Sequence, residues 1–253
     1  MKPPSTSPTL MDTAAIAALT FIVACVSHEV IGHGVACLAG GGRITLLTSV
    51  YFHCDNGGVM ADLGGPSANL ALGFGAYLFL EWHAWSTNLR LVLVLSLAFN
   101  LFWLAGCMLI SAAAGTSDFA YLLRILAVDP PWVGRAVLGA LGLLVYRFGI
   151  YAASKHVAQG TPLAVSYAVA GCVSCGAALF FAGPVAPAVG QAALESFASA
   201  IGLLILALGA RGFSLSSASV SSASSYRWLT STAVVTIAFF LLLGRGLVLT
   251  GDA

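Results

Sequence analysis

Three ionisable side chains, His28, Glu29 and His33, stand in the otherwise apolar run Ser27-His28-Glu29-Val30-Ile31-Gly32-His33-Gly34. At the depth of a bilayer core such a group costs about 3 kcal/mol or more, so an ionisable residue there marks a functional site by default. Two imidazoles and a carboxylate on one helical stretch are the parts of a zinc hydrolase: the histidines bind the metal and the glutamate activates a water. A catalytic zinc takes three protein ligands and keeps one position open, so a third ligand has to come from elsewhere in the chain.

The spacing is one residue longer than in the usual His-Glu-x-x-His pattern, because His28 and His33 stand at i and i+5. On a regular α-helix five residues turn about 140° beyond one full turn, which points His33 away from His28. A single π turn widens the helix and returns i and i+5 to one face. Gly32 and Gly34 flank His33 and permit that distortion. Without a metal, the two histidines would hydrogen-bond to backbone or to each other inside a bundle, with Glu29 paired to an arginine.

The elements that position this cluster must be membrane helices. Hydrophobic residues make up 59% of the 253-residue chain and charged residues 8%, and the mean hydropathy is +0.97. A soluble domain carries about 25% charged residues, so a soluble globule is excluded. The formal net charge of +1, spread thinly, leaves no basic stripe for nucleic acid. Nearly charge-free stretches of the length a span requires run over about 13–38, 59–80, 89–114, 132–153, 162–182, 191–210 and 228–249. With a short extra helix over 118–128, the expectation is an all-α polytopic bundle of six to eight transmembrane helices. Trp82 and Trp85 mark an interfacial belt at the end of the second span. The low-complexity tract 213–226, rich in serine, reads as a connector. Arg43 and Arg90 fall in successive loops and leave the orientation open. Lys2 ahead of an apolar run ending in Ile22-Val23-Ala24-Cys25 allows a lipoprotein leader, but Asp12 interrupts its basic region and the apolar run continues to Leu38, which favours a span. The six cysteines suggest no disulfide scaffold, and Cys172-Val173-Ser174-Cys175 reads as small-residue packing within a span.

The variant motif His28-Glu29-x-x-Gly32-His33 resembles the zinc motif of the dipeptidyl peptidase III family over those six residues. A wider resemblance, over about residues 20–128, is to the site-2 protease family of intramembrane metalloproteases. In that family a zinc-binding helix is followed by a glycine-rich extended segment, a helix with Gly-Pro-x-x-Asn, and a later helix that opens at a ligand aspartate. This chain has Gly40-Gly41-Gly42-Arg43, then Gly65-Pro66-Ser67-Ala68-Asn69, then Gly115-Thr116-Ser117-Asp118-Phe119. It departs from the family where Phe119 replaces a glycine and no leucine precedes Asp118. Asn100, in Phe99-Asn100-Leu101, is similar to a family element but lies farther from the aspartate than expected.

The resemblance implies zinc held by His28, His33 and Asp118, with Asp62, His53 and Asp55 as competing third ligands, and Glu29 as general base and then acid. Asn69 is expected to stabilise the oxyanion or hold an extended substrate strand, or else to make a helix–helix hydrogen bond. The glycine-rich segment 40–58 is expected to offer an edge strand to an unwound substrate. Residues 1–130 form the metalloprotease-like core, and 131–253 add helices to the same membrane domain. The implied protein is a multi-pass bacterial cell-membrane zinc protease acting on a membrane-embedded protein substrate, with the lipid bilayer as its other partner. Its alternative is a non-catalytic scaffold or binding protein that retains the fold. A metal-dependent transporter would want more ionisable residues than Arg135, Arg147, Glu195 and Arg245 in the later spans. A di-iron oxygenase would exhaust the five histidines.

Overall fold

The computed structural model describes residues 8–127, 129–209 and 222–248. The first helix, α1 (Leu10–Val26), starts at Thr9, whose hydroxyl accepts from the Asp12 amide and so satisfies one free N–H of the opening turn. It passes without a break into a π-helical segment (Ser27–Gly34) and then α2 (Val35–Ala39), giving one rod of 30 residues. A β-hairpin of β1 (Arg43–Leu47) and β2 (Phe52–Asp55) follows, and then α3 (Gly58–Trp82), α4 (Thr87–Ala114), α5 (Asp118–Leu126), α6 (Pro131–His156) and α7 (Leu163–Ala178). Beyond them, α8 (Val185–Ala193), a π turn (Leu194–Ala198), a 3-10 turn and α9 (Gly202–Gly209) form another continuous rod. The last elements are α10 (Ser222–Phe239), a π turn (Phe240–Gly244) and the two-residue β3 (Leu247–Val248).

Among the described residues four stretches are long and apolar enough to cross a membrane: Leu10–Ala39, Thr87–Ala114, Pro131–His156 and Val185–Gly209. Four of the seven stretches expected from sequence meet that criterion. α3 has the length but is diluted by Gly64, Gly65, Pro66, Ser67 and Asn69, while Leu163–Ala178 and Trp228–Gly244 are shorter apolar helices. Of the serine-rich tract, residues 213–221 lie outside the described residues, and from Ser222 the chain is helical.

α4 is the central helix. It packs against α1, α3 and α6, and its Leu95, Leu97, Leu101 and Phe102 are fully buried. Lipid tails are as apolar as leucine, so helix association here depends on close packing more than on escape from water. Gly142 and Gly149 of α6 supply it, since a Cβ on either would press on Leu109 or Phe102 of α4.

Two sequence expectations are corrected. The chain is not purely α-helical: β1, β2 and β3 form a three-stranded antiparallel sheet in the order β2-β1-β3, with a bulge between Ile44 and Leu46. The glycines at 40–42 end the helix, and the β-branched and aromatic residues that follow suit a pleated strand. Two of the cysteines are also joined, Cys37 of α2 to Cys54 of β2, with Cα atoms 6.1 Å apart. Gly42 and Gly57 pack against the Cys54 sulfur, where side chains would not fit. The hairpin's partner is three-dimensional, which spacing along the chain does not reveal.

Candidate metal centre

The π-helical segment brings the two histidines together. His28 Nε2 and His33 Nε2 are 3.1 Å apart, with the rings at 84° to one another. Each imidazole is stacked on an aromatic ring, His28 on Trp103 of α4 at 4.9 Å and His33 on Phe52 of β2 at 5.2 Å. The opposite side is backbone. Gly32 lies against Gly64 and Gly65 of α3, and a Cβ on Gly65 would overlap both imidazoles. That close approach gives the Gly-Gly-Pro stretch of α3 its local role.

Asp118 reaches the histidines through a sharp reversal. α4 ends at Gly115, whose φ of 70° is open to glycine at little cost, and Ser117 with φ 73° starts α5. The Asp118 carboxylate then lies with Oδ2 3.5 Å from His28 Nε2 and Oδ1 3.6 Å from His33 Nε2. Donors bound at about 2.0–2.1 Å at the corners of a tetrahedron lie roughly 3.3 Å apart, so 3.1, 3.5 and 3.6 Å suit one small divalent ion.

The protons support the same fit. His33 Nδ1 is 2.6 Å from the Ala61 carbonyl oxygen, an acceptor only, so in the neutral ring the proton sits on Nδ1 and Nε2 carries a lone pair. His28 Nδ1 is 3.0 Å from the Asn69 amide, and Asn69 Oδ1 is buried without a partner when Nδ2 faces the ring. Turning the amide so that Oδ1 accepts from His28 Nδ1 satisfies that oxygen and frees the His28 Nε2 lone pair. Two lone pairs and a carboxylate then converge with Asp118 Oδ2 lacking a hydrogen bond. Such a set is repulsive unless a cation or a proton sits among its members.

A cavity of about 250 Å³ opens on this group. Glu29, only 4% exposed, lines it beside the histidines, with Oε1 4.0 Å from His28 Nε2. Asp62 lines it as well without joining the ligand group. His53 and Asp55 lie on β2, His53 largely exposed and Asp55 paired with Arg43 at 3.4 Å, away from the convergent atoms. Asn69 is fully buried and outside the cavity lining, behind His28. Asn100 bonds within its own helix, Nδ2 donating to the Ser96 carbonyl at 2.7 Å.

Sequence reasoning does not assign Glu195 and Gln191 to the site, yet both line the cavity, with Gln191 Nε2 donating to Glu195 Oε1 at 2.6 Å. The π turn Leu194–Ala198 carries Glu195. Burial, with Glu195 adding to it, pushes the phenol of Tyr51, another lining residue, up from its ordinary pKa. The available signal was a single acid in an otherwise uncharged span. Trp103, Phe52 and Gly65 carry no such signal, because aromatic residues and glycines are common throughout apolar helices. Comparison with protein-family models, with curated proteins and with solved structures returns no match to this chain.

Proposed function

We propose that the chain is a multi-pass membrane protein of six to eight transmembrane helices in a bacterial cell membrane. In this reading it holds zinc between His28, His33 and Asp118 and hydrolyses a peptide bond of a membrane-embedded protein substrate. The observation that carries the reading is the convergence of two imidazole nitrogens and a carboxylate within 4.8 Å, with the buried Glu29 carboxylate beside them on one cavity. A bound zinc ion supplies Lewis-acid chemistry and brings the pKa of a water down to about 7.

The rest of the chemistry belongs to the protein. Glu29 takes a proton from the attacking water on a carboxylate oxygen and delivers it to the leaving nitrogen. Asn69 and the Ala61 carbonyl hold the two imidazoles in the tautomer that leaves each Nε2 free. A peptide bond inside a transmembrane helix is already hydrogen-bonded, so the substrate has to unwind before it is cut. β2 is one edge strand of the sheet, and its first residue Phe52, with Tyr51 of the preceding turn, lines the cavity. An unwound segment would add to that edge as another strand.

The test is zinc content by elemental analysis of detergent-purified protein, followed by turnover of a transmembrane peptide in proteoliposomes. About one zinc per chain is expected in the wild type, with loss in His33→Ala and Asp118→Ala. Glu29→Gln is expected to keep zinc and to lose about 10²-fold or more in turnover. A wild type that takes up no zinc when supplied with it would replace this reading with the non-catalytic scaffold.

A further inference from the structure

A second cavity, of about 550 Å³, opens where α4 ends, α5 ends and α6 begins, on the far side of α5 from its first residue, Asp118. Arg124 and Arg135 line it, and Asp129 is its one acid among the described residues, which together carry a single formal positive charge. The Arg135 guanidinium is fixed in place: Nε donates to the Ala112 carbonyl at 2.7 Å and Nη2 to the Ala113 carbonyl at 2.9 Å, both at the C-terminal end of α4. Its Nη1 has no partner among the described residues. Arg124 Nε donates to the Ala120 carbonyl at 3.3 Å, and its guanidinium lies 4.5 Å from the centre of the Tyr121 ring. Every acceptor on these arginines is thus a neutral carbonyl. Among the described residues neither forms an ion pair, although ion pairs form elsewhere in the molecule at Arg43 and Lys155.

The surroundings say which medium this cavity meets. Tyr121, Ile125 and Leu126 of α5 and Trp132 of α6 are all more than half exposed, Trp132 at 68%. Exposed aromatic and aliphatic side chains next to basic groups without a close ion pair belong at the bilayer interface, where aromatic rings sit at headgroup level and arginine meets lipid phosphate. Leu123, Ala120 and Pro131 add apolar lining to the same cavity.

We propose that this cavity binds the headgroup of an anionic phospholipid, with Arg124 and Arg135 donating to its phosphate oxygens and an acyl chain lying along the exposed face of α5. One phosphodiester negative charge is the complement of the cavity's single positive charge. With the other donors held by carbonyls, Nη1 of Arg135 and Nη1 and Nη2 of Arg124 are the groups that would donate to phosphate oxygens. The site is independent of the metal reading, and its test does not use turnover.

The test is thermal unfolding of the full chain in detergent during titration with dioctanoyl phosphatidylglycerol, dioctanoyl phosphatidylcholine or inorganic phosphate. A ligand that binds only the folded state raises the unfolding temperature in a saturable way. The expected result is a saturable rise with phosphatidylglycerol and none with phosphatidylcholine or inorganic phosphate at equal concentration. Arg124→Gln should raise the half-saturating concentration about fivefold, the factor that corresponds to about 1 kcal/mol for one basic residue at an anionic surface. Arg124 is exposed and makes only local contacts, so this variant keeps the fold, whereas Arg135 caps α4. Arg90→Gln, at the opposite end of α4, should leave the titration unchanged. Three outcomes would each overturn the proposal: no saturable response in the wild type, the same response in Arg124→Gln as in Arg90→Gln, or a full response to inorganic phosphate alone.

Discussion

Each histidine in the cluster has one nitrogen facing the convergent group and one tied to a neighbour, and that second bond decides what the first can do. For His33 the neighbour is a backbone carbonyl, which no side-chain substitution removes. For His28 it is Asn69, whose loss leaves the ring free to turn and to move its proton. Asn69→Ala is therefore expected to weaken zinc binding by 10–100-fold, the usual effect of losing a partner that orients a ligand, with helical content unchanged. Chelator competition measures this, and an unchanged affinity would leave Asn69 as a helix-packing residue only. At this scale the candidate ligand residues are conspicuous in the sequence, because an ionisable group in an apolar run has few structural uses. The order of preference among Asp118, Asp62, His53 and Asp55 came from a resemblance, whereas the distances bring only Asp118 to the histidines. Asn69 was visible as a polar residue in α3, but its bond to His28 depends on a neighbour 41 positions away.

At the level of elements, the extra residue between Glu29 and His33 is absorbed by the eight-residue π-helical segment Ser27–Gly34. A π turn holds one residue more than an α turn, so the helix on either side stays in register. Ile31, 57% exposed, points away from the site. A chain lacking Ile31 is therefore expected to close into a continuous α-helix with its histidines at i and i+4, still binding about one zinc and still pairing Cys37 with Cys54. Zinc analysis together with a count of free thiols checks both halves, and lost zinc with extra thiols would show that the π geometry is required. The need for a π turn was legible from the spacing. The second π turn, which sets Glu195 on the same cavity, was not, because no spaced pair of residues in that helix calls for one. The hairpin was legible as a glycine-rich break but not as paired strands, since its register depends on the turn Thr48–Tyr51, where the Thr48 hydroxyl accepts from the Val50 and Tyr51 amides.

For the whole molecule, the disulfide bears on orientation. Cysteines are kept reduced in the cytosol and are joined outside it, so the hairpin end of the long first rod is expected on the oxidising side of the membrane. In cells carrying Cys172→Ser and Cys175→Ser, a membrane-impermeant maleimide is expected to label the protein only after an impermeant reductant has opened Cys37–Cys54. Cys25 and Cys107 are buried and stay silent. Labelling that requires opened cells would put the hairpin on the other face. Composition alone pointed to a membrane protein, since 8% charged residues is far below the roughly 25% of soluble domains. The histidine–glutamate cluster was likewise enough to locate the candidate site, because ionisable groups are costly where the surroundings are apolar. Local sequence could not decide which aspartate meets the histidines, which cysteines pair, which acid from a distant rod joins the cavity, or that two arginines gather where three helices meet. Each of these is a contact between residues far apart in the chain. Such contacts are set by how closely glycine-lined helices approach one another, and that distance exists only once the helices have packed.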